Sequence, residues 1–301
     1  MTKPGANWDY YRTFLAVLRE GSLSAAARDL GLTQPTVGRH IDALEALSGA
    51  PLFLRSQQGL LPTETAQQMK PYAETMAATA ASLARAASGQ PGSVTGTVRI
   101  SASEVIGIEV LPPILADLQE HHPALNVELS VSDAVEDLLR QEADIAVRMV
   151  PPSQGALVSR RIGAIPLGLH AHRRYLERHG TPTGLDQLSS HRLIGFDRPL
   201  AYIRAALKDE PRLADIHFSM RSDSNLAQMA MIRAAGGIGM CQNTLARRDP
   251  DLVPVLAEAI QLSLETYVVM HENLKTSARC RATFDALVAG LLDYVHPMRG
   301  S

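Results

Sequence analysis

A succession of short helical patterns, each closed by a glycine, opens the chain and constrains its fold more than any other feature. Apolar residues recur at helical spacing over residues 10–18 and stop at Gly21, which suits the left-handed backbone after a helix end. An alanine-rich stretch follows and ends at Gly31, and its small side chains allow another helix to cross closely. These patterns predict two compact helices, the second capped by Ser22 or Ser24.

A third helix is predicted after a short turn. Thr33 suits its N-cap, and Pro35 occupies an early position where its missing N–H costs nothing. The apolar stripe that faces inward comprises Val37, Ile41, Leu44 and Leu47. Two helices joined by a short, glycine-containing turn form a helix-turn-helix, whose second helix can enter the major groove of DNA.

Polar side chains at the start of this third helix and on its outer face have the chemistry for contacting DNA. Glutamine pairs with adenine and arginine with guanine through two hydrogen bonds, while serine and threonine can hold phosphates. The candidate DNA-contacting residues are Ser22, Ser24, Thr33, Gln34, Pro35, Thr36, Arg39, His40 and Arg55. The alternative is an ordinary helical hairpin with a solvated polar face, and helical spacing alone does not separate the two.

Residues 51–62 predict a small hairpin beside the third helix, because two short apolar runs flank a glycine-containing turn. Such a hairpin forms the wing of a winged helix-turn-helix. The charge of the first 66 residues adds nothing to this interpretation, since six basic and six acidic side chains cancel. A basic patch for nucleic acid would therefore have to come from the placement of these charges.

The stretch GSLSAAARDLGLTQPTVGRHIDALEALSGAPLFLRSQQGLLPTETA resembles the N-terminal signature of LysR-type transcriptional regulators. The likeness includes Ser-x-x-x-Ala-Ala in the second helix, Thr-Gln-Pro and Leu-Glu in the third, and Leu-Phe-x-Arg in the wing. Gly38 departs from the pattern, where the family usually has a serine, and so does Ala66, where it usually has a glycine. The resemblance implies that residues 1–66 form a winged helix-turn-helix that binds promoter DNA sequence-specifically.

A long amphipathic helix is predicted after Thr63, since apolar residues continue at spacings of three and four for about 25 residues. Pro71 should interrupt one backbone bond within it. Residues 67–93 comprise this linker helix and a hinge that is rich in glycine and serine. The apolar face either packs back on the N-terminal domain or pairs with a second copy. The resemblance implies a homodimer through residues 63–88, and tetramers formed from such dimers.

Strand and helix patterns alternate from residue 94 onward, which predicts an α/β domain with a mainly parallel sheet. The resemblance continues through HHPALNVELSVSDAVEDLLRQEADIAVR and MIRAAGGIGM. It implies that residues 94–301 form an effector-binding domain like the type 2 periplasmic binding proteins, with two lobes. The first lobe would comprise residues of about 94–163 and 269–301, and the second residues of about 164–268.

Polar residues at strand ends predict a ligand site between these lobes, because ligands of such sheets bind at the carboxyl ends of strands. Hydroxyls and helix N-termini favour anions, and Arg148 could hold a carboxylate with two bonds. The candidate ligand-binding residues are Ser101, Ser103, Ser132, Asp133, Arg148, Phe196, Ser224 and Asn225. Asp133 fits least well because it would repel an anion. The alternative makes the serines simple helix caps and Arg148 an ion-pair partner.

The remaining patterns argue against other classes of protein. No signal peptide or membrane span is recognisable, so a cytoplasmic location without membrane contact is expected. Cys241 and Cys280 predict two structural thiols rather than a redox switch, and the histidines lack metal-ligand spacing. We predict no catalytic residues, no metal and no cofactor. An enzyme and a sequence-independent DNA-coating protein are the alternatives, but no catalytic arrangement or basic surplus supports them.

Overall fold

The N-terminal winged helix-turn-helix forms as predicted in the computed structural model, which describes residues 7–56, 59–88, 92–131, 143–151, 157–198, 217–259 and 262–296. Its elements are α1 (Trp8–Glu20), α2 (Leu23–Leu30), α3 (Gln34–Ser48), β1 (Phe53–Ser56) and β2 (Gly59–Pro62). Inward side chains of the helices and the wing form one apolar cluster, which includes Phe14, Val17, Val37, Ile41, Leu44 and Leu52. The described residues up to Ala84 belong to this first unit, and those from Arg85 onward belong to a second.

The ends of the first helices follow the caps that the sequence predicts. Of the two candidate serines, Ser22 caps α2, since its Oγ accepts a hydrogen bond from the Ala25 N–H at 3.1 Å. Thr33 caps α3 by accepting from the Thr36 N–H at 3.4 Å. The residues that end α1, α2 and α3 are left-handed glycines, namely Gly21, Gly31 and Gly49.

The wing is an antiparallel pair of short strands that contacts the turn between α1 and α2. The Leu60 N–H donates to the Gly21 carbonyl at 2.8 Å. Gly59 is required here, because its φ is +117° and a side chain would place its Cβ 2.7 Å from that same carbonyl oxygen. A side chain at position 59 would therefore push the wing away from this turn.

The predicted linker helix is α4 (Glu64–Ala87), capped by Thr63, whose Oγ1 accepts from the Ala66 N–H at 3.2 Å. Pro71 lies inside it without ending it. Large apolar side chains remain exposed along one face at Tyr72, Met76 and Leu83. In the part of the chain that the structure describes, no helix combines the length and the apolar character needed to cross a membrane.

The second unit is built on one mixed sheet. Its strands are β3 (Gly96–Ala102), β4 (Leu125–Val131), β5 (Ile145–Arg148), β6 (Leu157–His172), β7 (Leu193–Gly195), β8 (Met220–Arg221), β9 (Ile238–Gln242), β10 (Leu252–Val255) and β11 (Leu262–His271). Its helices are α5 (Leu111–His121), α6 (Arg173–His179), α7 (Asn225–Arg233), α8 (Asn243–Ala246) and α9 (Ala278–Val295), and a π-helical turn, Ile106–Val110, precedes α5.

The prediction of a mainly parallel sheet is wrong for the centre of this unit. The strand order is β4-β3-β5-β11-β6-β9-β7-β8, and β10 pairs with β6. The outer pairs, β3 with β4 and β7 with β8, are parallel, whereas β11 pairs antiparallel with both β5 and β6. The reason is that β6 and β11 carry the chain to the other lobe and back, so they run in opposite directions.

Two groups of buried side chains lie on either side of this crossing. The first lobe surrounds a cluster that includes Ile100, Leu111, Leu125, Leu287 and Leu291. The second lobe contains clusters that include Leu169, Tyr175, Leu193, Met229 and Ile232. On β6 the change from one lobe to the other falls between Ile165 and Leu167. The lobe boundaries given above remain predictions, and this crossing supports them.

A buried ion pair lies at the edge of the first lobe. Arg85 donates to both carboxylate oxygens of Asp144, from Nε at 2.9 Å and from Nη2 at 3.2 Å. Asp144 also accepts from the Arg99 backbone N–H at 2.9 Å, and Arg279 donates to the Arg85 carbonyl at 2.8 Å. Both side chains of the pair are less than a tenth exposed. Arg85 is therefore fixed within the second unit by a charge pair and by its backbone carbonyl.

Candidate DNA-binding and effector-binding sites

The start of α3 presents the predicted DNA-contacting side chains to solvent. Gln34, Pro35 and Arg39 are exposed, and Pro35 and Arg39 lie one turn apart on the same face. The Oγ1 atoms of Thr33 and Thr36 lie 2.8 Å apart, so these hydroxyls fix each other at the helix N-terminus. This end of α3 combines a positive helix terminus with hydroxyl, amide and guanidinium groups, which suits a phosphate backbone and base edges.

His40 has a partner inside the domain. Its Nδ1 lies 2.8 Å from Thr13 Oγ1, and its ring lies 5.1 Å from that of Tyr10. Thr13 Oγ1 donates its hydrogen to the Asp9 carbonyl at 2.7 Å, so His40 Nδ1 must be the donor in the bond to Thr13. The ring is thus held by α1 through its Nδ1 atom, which is no longer available as a donor to DNA.

The other predicted DNA contacts are divided between capping and exposed positions. Ser22 uses its hydroxyl as a cap, whereas Ser24 is exposed in the first turn of α2. Arg55 is exposed on β1, opposite Leu60 in the wing. These positions leave Ser24 and Arg55 available for phosphate contacts.

Glu45 organises the wing, a role that sequence reasoning missed. Its Oε1 accepts from the Leu52 N–H at 2.6 Å and from the Phe53 N–H at 3.4 Å. A carboxylate on α3 thereby fixes where β1 begins. Glu45 belongs to the Leu-Glu pair of the family pattern near the end of α3. An acidic residue on a helix that is followed directly by a strand was the sequence signal that could have predicted this role.

In the second unit, the structure brings Ser101 and Arg148 together. They lie on neighbouring parallel strands, and Arg148 Nη2 donates to Ser101 Oγ at 2.6 Å. Arg148 Nη1 also donates to the Val147 carbonyl at 3.1 Å, and both side chains are buried. A buried guanidinium at a strand end favours an anion nearby, because its charge has been removed from bulk water.

Ser103 and Ser224 lie on either side of a contact between the lobes. Ser103 follows β3, and its carbonyl accepts from the Gly107 N–H at 2.8 Å. Ser224 caps α7 by accepting from the Ala227 N–H at 3.1 Å, as the alternative interpretation proposed. Ser224 also donates to Glu104 Oε1 at 2.8 Å, so the residue after Ser103 reaches the second lobe.

The remaining ligand candidates differ in how the structure places them. Phe196 is half-buried directly after β7, and Asn225 is the first residue of α7, next to Ser224. Ser132 and Asp133 lie outside the described residues. Glu104 was not among the candidates identified from the sequence. Its position directly after Ser103, at the end of a predicted strand, was the signal that could have placed it in the same site.

The cysteines of this unit are free thiols in separate parts of the fold. Burial raises the pKa of the Cys241 thiol to about 12 and also raises that of Cys280, so both remain protonated at neutral pH. A protonated thiol is a poor nucleophile, which agrees with structural roles. Cys241 Sγ lies 3.3 Å from the Nδ1 of His170, a buried histidine whose pKa is lowered mainly by burial.

The glycine-rich segment before β9 is a turn, as predicted, and not a phosphate loop. It follows α7, and β9 begins at Ile238. A side chain at Gly237 would place its Cβ 2.3 Å from the Arg192 carbonyl oxygen, so the glycine allows two backbones to approach closely. Among the described residues, no three histidine, cysteine or acidic side chains gather as metal ligands would.

Two family models match the chain. Residues 8–67 match the bacterial regulatory helix-turn-helix protein of the lysR family, and residues 91–291 match the LysR substrate binding domain. The regulator CrgA of Neisseria meningitidis serogroup C is 26% identical over 294 residues, which cover 95% of this chain and 97% of CrgA. An HTH-type transcriptional regulator of Xanthomonas campestris is 28% identical over 181 residues, 60% of this chain and 53% of that protein. The chain therefore spans about half the length of the Xanthomonas relative.

Solved structures with the same architecture span almost the whole chain. CrgA of Neisseria meningitidis matches with a TM-score of 0.58 and 24% identity, covering 95% of this chain and 99% of that one. CbnR, a LysR family transcriptional regulator, matches with a TM-score of 0.67 and 20% identity, again covering 95% and 99%. At these identities the likeness establishes the fold.

Proposed function

Because the chain belongs to the LysR family of transcriptional regulators, we propose that it binds a promoter site sequence-specifically in the cytoplasm. We also propose that it responds to a small anionic effector held between its two lobes. Members of this family are regulators and not enzymes. The exposed N-terminal turn of α3 supports the first part. The buried Arg148, bonded to Ser101 at the end of β3, supports the second.

For DNA binding, we assign base reading to Gln34 and Arg39 and backbone positioning to Ser24, Thr36 and Arg55. Their exposure or position on α2, α3 and the wing supports this division. Footprinting with DNA from upstream of the protein's own gene should reveal a protected site. Absence of any protection, with or without small carboxylates, would contradict the proposal.

Arg39→Ala is expected to weaken binding to that site by about 10- to 100-fold and to reduce discrimination against random DNA. The reason is that one bidentate arginine–guanine contact contributes about 1–3 kcal/mol of specificity. Arg12→Ala is the matched control, because it removes the same charge from an exposed position on α1. Equal losses in the two variants, measured by electrophoretic mobility shift, would show that Arg39 acts through charge alone.

We further propose that two copies pair through the exposed face of α4 and that two such dimers form a tetramer. Tyr72 and Leu83 are each more than 70% exposed, with Met76 between them on the same face. Such a stripe favours association, since large exposed apolar faces mark interaction sites. The effector would then act by favouring one quaternary state over another.

A thermal-shift screen of small carboxylates tests the effector site. A ligand present at about 100 times its dissociation constant should stabilise the protein by about 2.7 kcal/mol. Arg148→Ala should remove that stabilisation. Arg99→Ala is the control and should retain it, because Arg99 lies on β3 with its side chain paired to Glu128 at the surface. A carboxylate that stabilises Arg148→Ala as well as the wild type would exclude Arg148 as the anion-binding residue.

A further inference from the structure

The N-terminus of α7 is bonded by a carboxylate from the first lobe. Glu104 Oε1 accepts from Ser224 Oγ at 2.8 Å, and Glu104 Oε2 accepts from the Leu226 N–H at 3.3 Å. The first turn of a helix carries N–H groups without helical partners and the positive end of the helix dipole, so an anion is favourable there. Glu104 thus lies where an anionic ligand of α7 would bind.

The same segment of the first lobe contacts the other end of α7. Arg233 Nη1 donates to Glu109 Oε1 at 2.9 Å, and Arg248 Nη1 donates to the Glu109 carbonyl at 2.6 Å. Because Arg233 is the last residue of α7, two carboxylates that are five positions apart in sequence hold both ends of the helix. We call residues 104–110 the clasp.

Apolar packing joins the clasp to the second lobe between these two carboxylates. Val105 packs against the second-lobe cluster that contains Met229 and Ile232, both of which belong to α7. The clasp then continues through the π-helical turn that precedes α5, a conformation that often marks functional sites. Its contacts with α7 are therefore ionic, hydrogen-bonded and apolar, which couples the position of α7 to that of β3.

We propose that Glu104 is a built-in anion of the effector site and determines its specificity. It supplies the negative charge at the N-terminus of α7, holds the two lobes together there, and excludes the anionic group of an effector from that helix. The effector's own anionic group is then confined to the end of the site formed by Arg148 and Ser101. This inference rests on the proposed effector site between the lobes.

Rescue by acetate tests the proposal without requiring the effector. Glu104→Ala removes a CH2 group and a carboxylate, and acetate carries the same charged group on one carbon. We expect the substitution to lower the Tm by about 2–8 °C. We expect about 0.1 M acetate to restore much of that loss, while chloride at the same ionic strength restores none.

Glu128→Ala is the matched control, because it removes an exposed carboxylate from the same lobe. Acetate should raise the Tm of Glu104→Ala by more than it raises the Tm of Glu128→Ala or of the wild type, because any binding at Arg148 is common to all three proteins. Equal effects of acetate on all three proteins, or none on Glu104→Ala, would overturn the proposal.

Glu104→Gln provides a second test that does not depend on the stability of the alanine variant. Glutamine keeps the size of the side chain but loses the charge and one acceptor. Hydrogen exchange of the Leu226 amide should accelerate in this variant, and an unchanged rate would overturn the role of Glu104. If acetate rescues Glu104→Ala but no small carboxylate stabilises the wild type in the thermal-shift screen, the role of Glu104 is supported and the proposed anionic effector is not. If a carboxylate stabilises the wild type through Arg148 but acetate does not rescue Glu104→Ala, only the inference about Glu104 is overturned.

Discussion

Asp144→Ala is expected to lower the free energy of unfolding of the second unit by about 3–5 kcal/mol, because it leaves the Arg85 guanidinium buried without its carboxylate. The side chains of Arg85 and Asp144 are only 8% and 3% exposed, so water does not replace the lost partner. The backbone N–H of Arg99 also loses its acceptor. Urea unfolding followed by far-ultraviolet circular dichroism would measure the loss.

The control is Glu128→Ala, which removes the exposed carboxylate that pairs with the Arg99 side chain at 3.2 Å. An exposed pair of this kind contributes about 0–1 kcal/mol, so the midpoint should hardly move. Comparable losses in the two variants would show that burial does not set the strength of these pairs.

Phe14→Ala should destabilise the winged helix-turn-helix by about 3–5 kcal/mol and abolish DNA binding. The Phe14 side chain is fully buried, and its ring lies 5.8 Å from that of Phe53 on the wing. The substitution therefore leaves a cavity between helix and wing. A domain of this size has only a few kcal/mol of stability, so the loss removes most of it.

Fluorescence can follow this unit separately, because Trp8 is the only tryptophan of the chain and lies in α1. Leu54→Ala is the control, since Leu54 is next to Phe53 and 57% exposed, and we expect a change within about 0.5 kcal/mol. The Trp8 transition should shift for Phe14→Ala and stay in place for Asp144→Ala. A Trp8 transition that does not shift for Phe14→Ala would contradict the assignment of Phe14 to the core of this unit.

Elements whose signals are local in sequence could be predicted well. The cap at Thr33, the choice of Ser22 or Ser24 as the cap of α2, the glycine ends of α1 and α2, and the inward stripe of α3 depend on residues within one or two turns. The same holds for the turn before Ile238, which could be recognised because it follows a helix. For these features, backbone sterics and helical periodicity act over a few residues, so the local sequence carries the information.

The direction of the central strands could not be predicted in this way. Alternating strands and helices favour a parallel sheet, but β6 and β11 are antiparallel because they connect the lobes. Which strand pairs with which depends on where the whole chain returns, and no local pattern encodes that.

The candidate sites show the same division. Sequence alone placed hydroxyls and Gln34 at the start of α3 and Arg39 on its outer face, and it placed Ser101, Ser103 and Arg148 at strand ends. Only the tertiary structure bonded Arg148 to Ser101, and it brought Glu104 to Ser224 across 120 positions of sequence. The physical reason is that a charged side chain pairs with whichever group lies close to it in the folded chain. Helix caps and the apolar face of a helix, in contrast, depend on residues that are near one another in sequence.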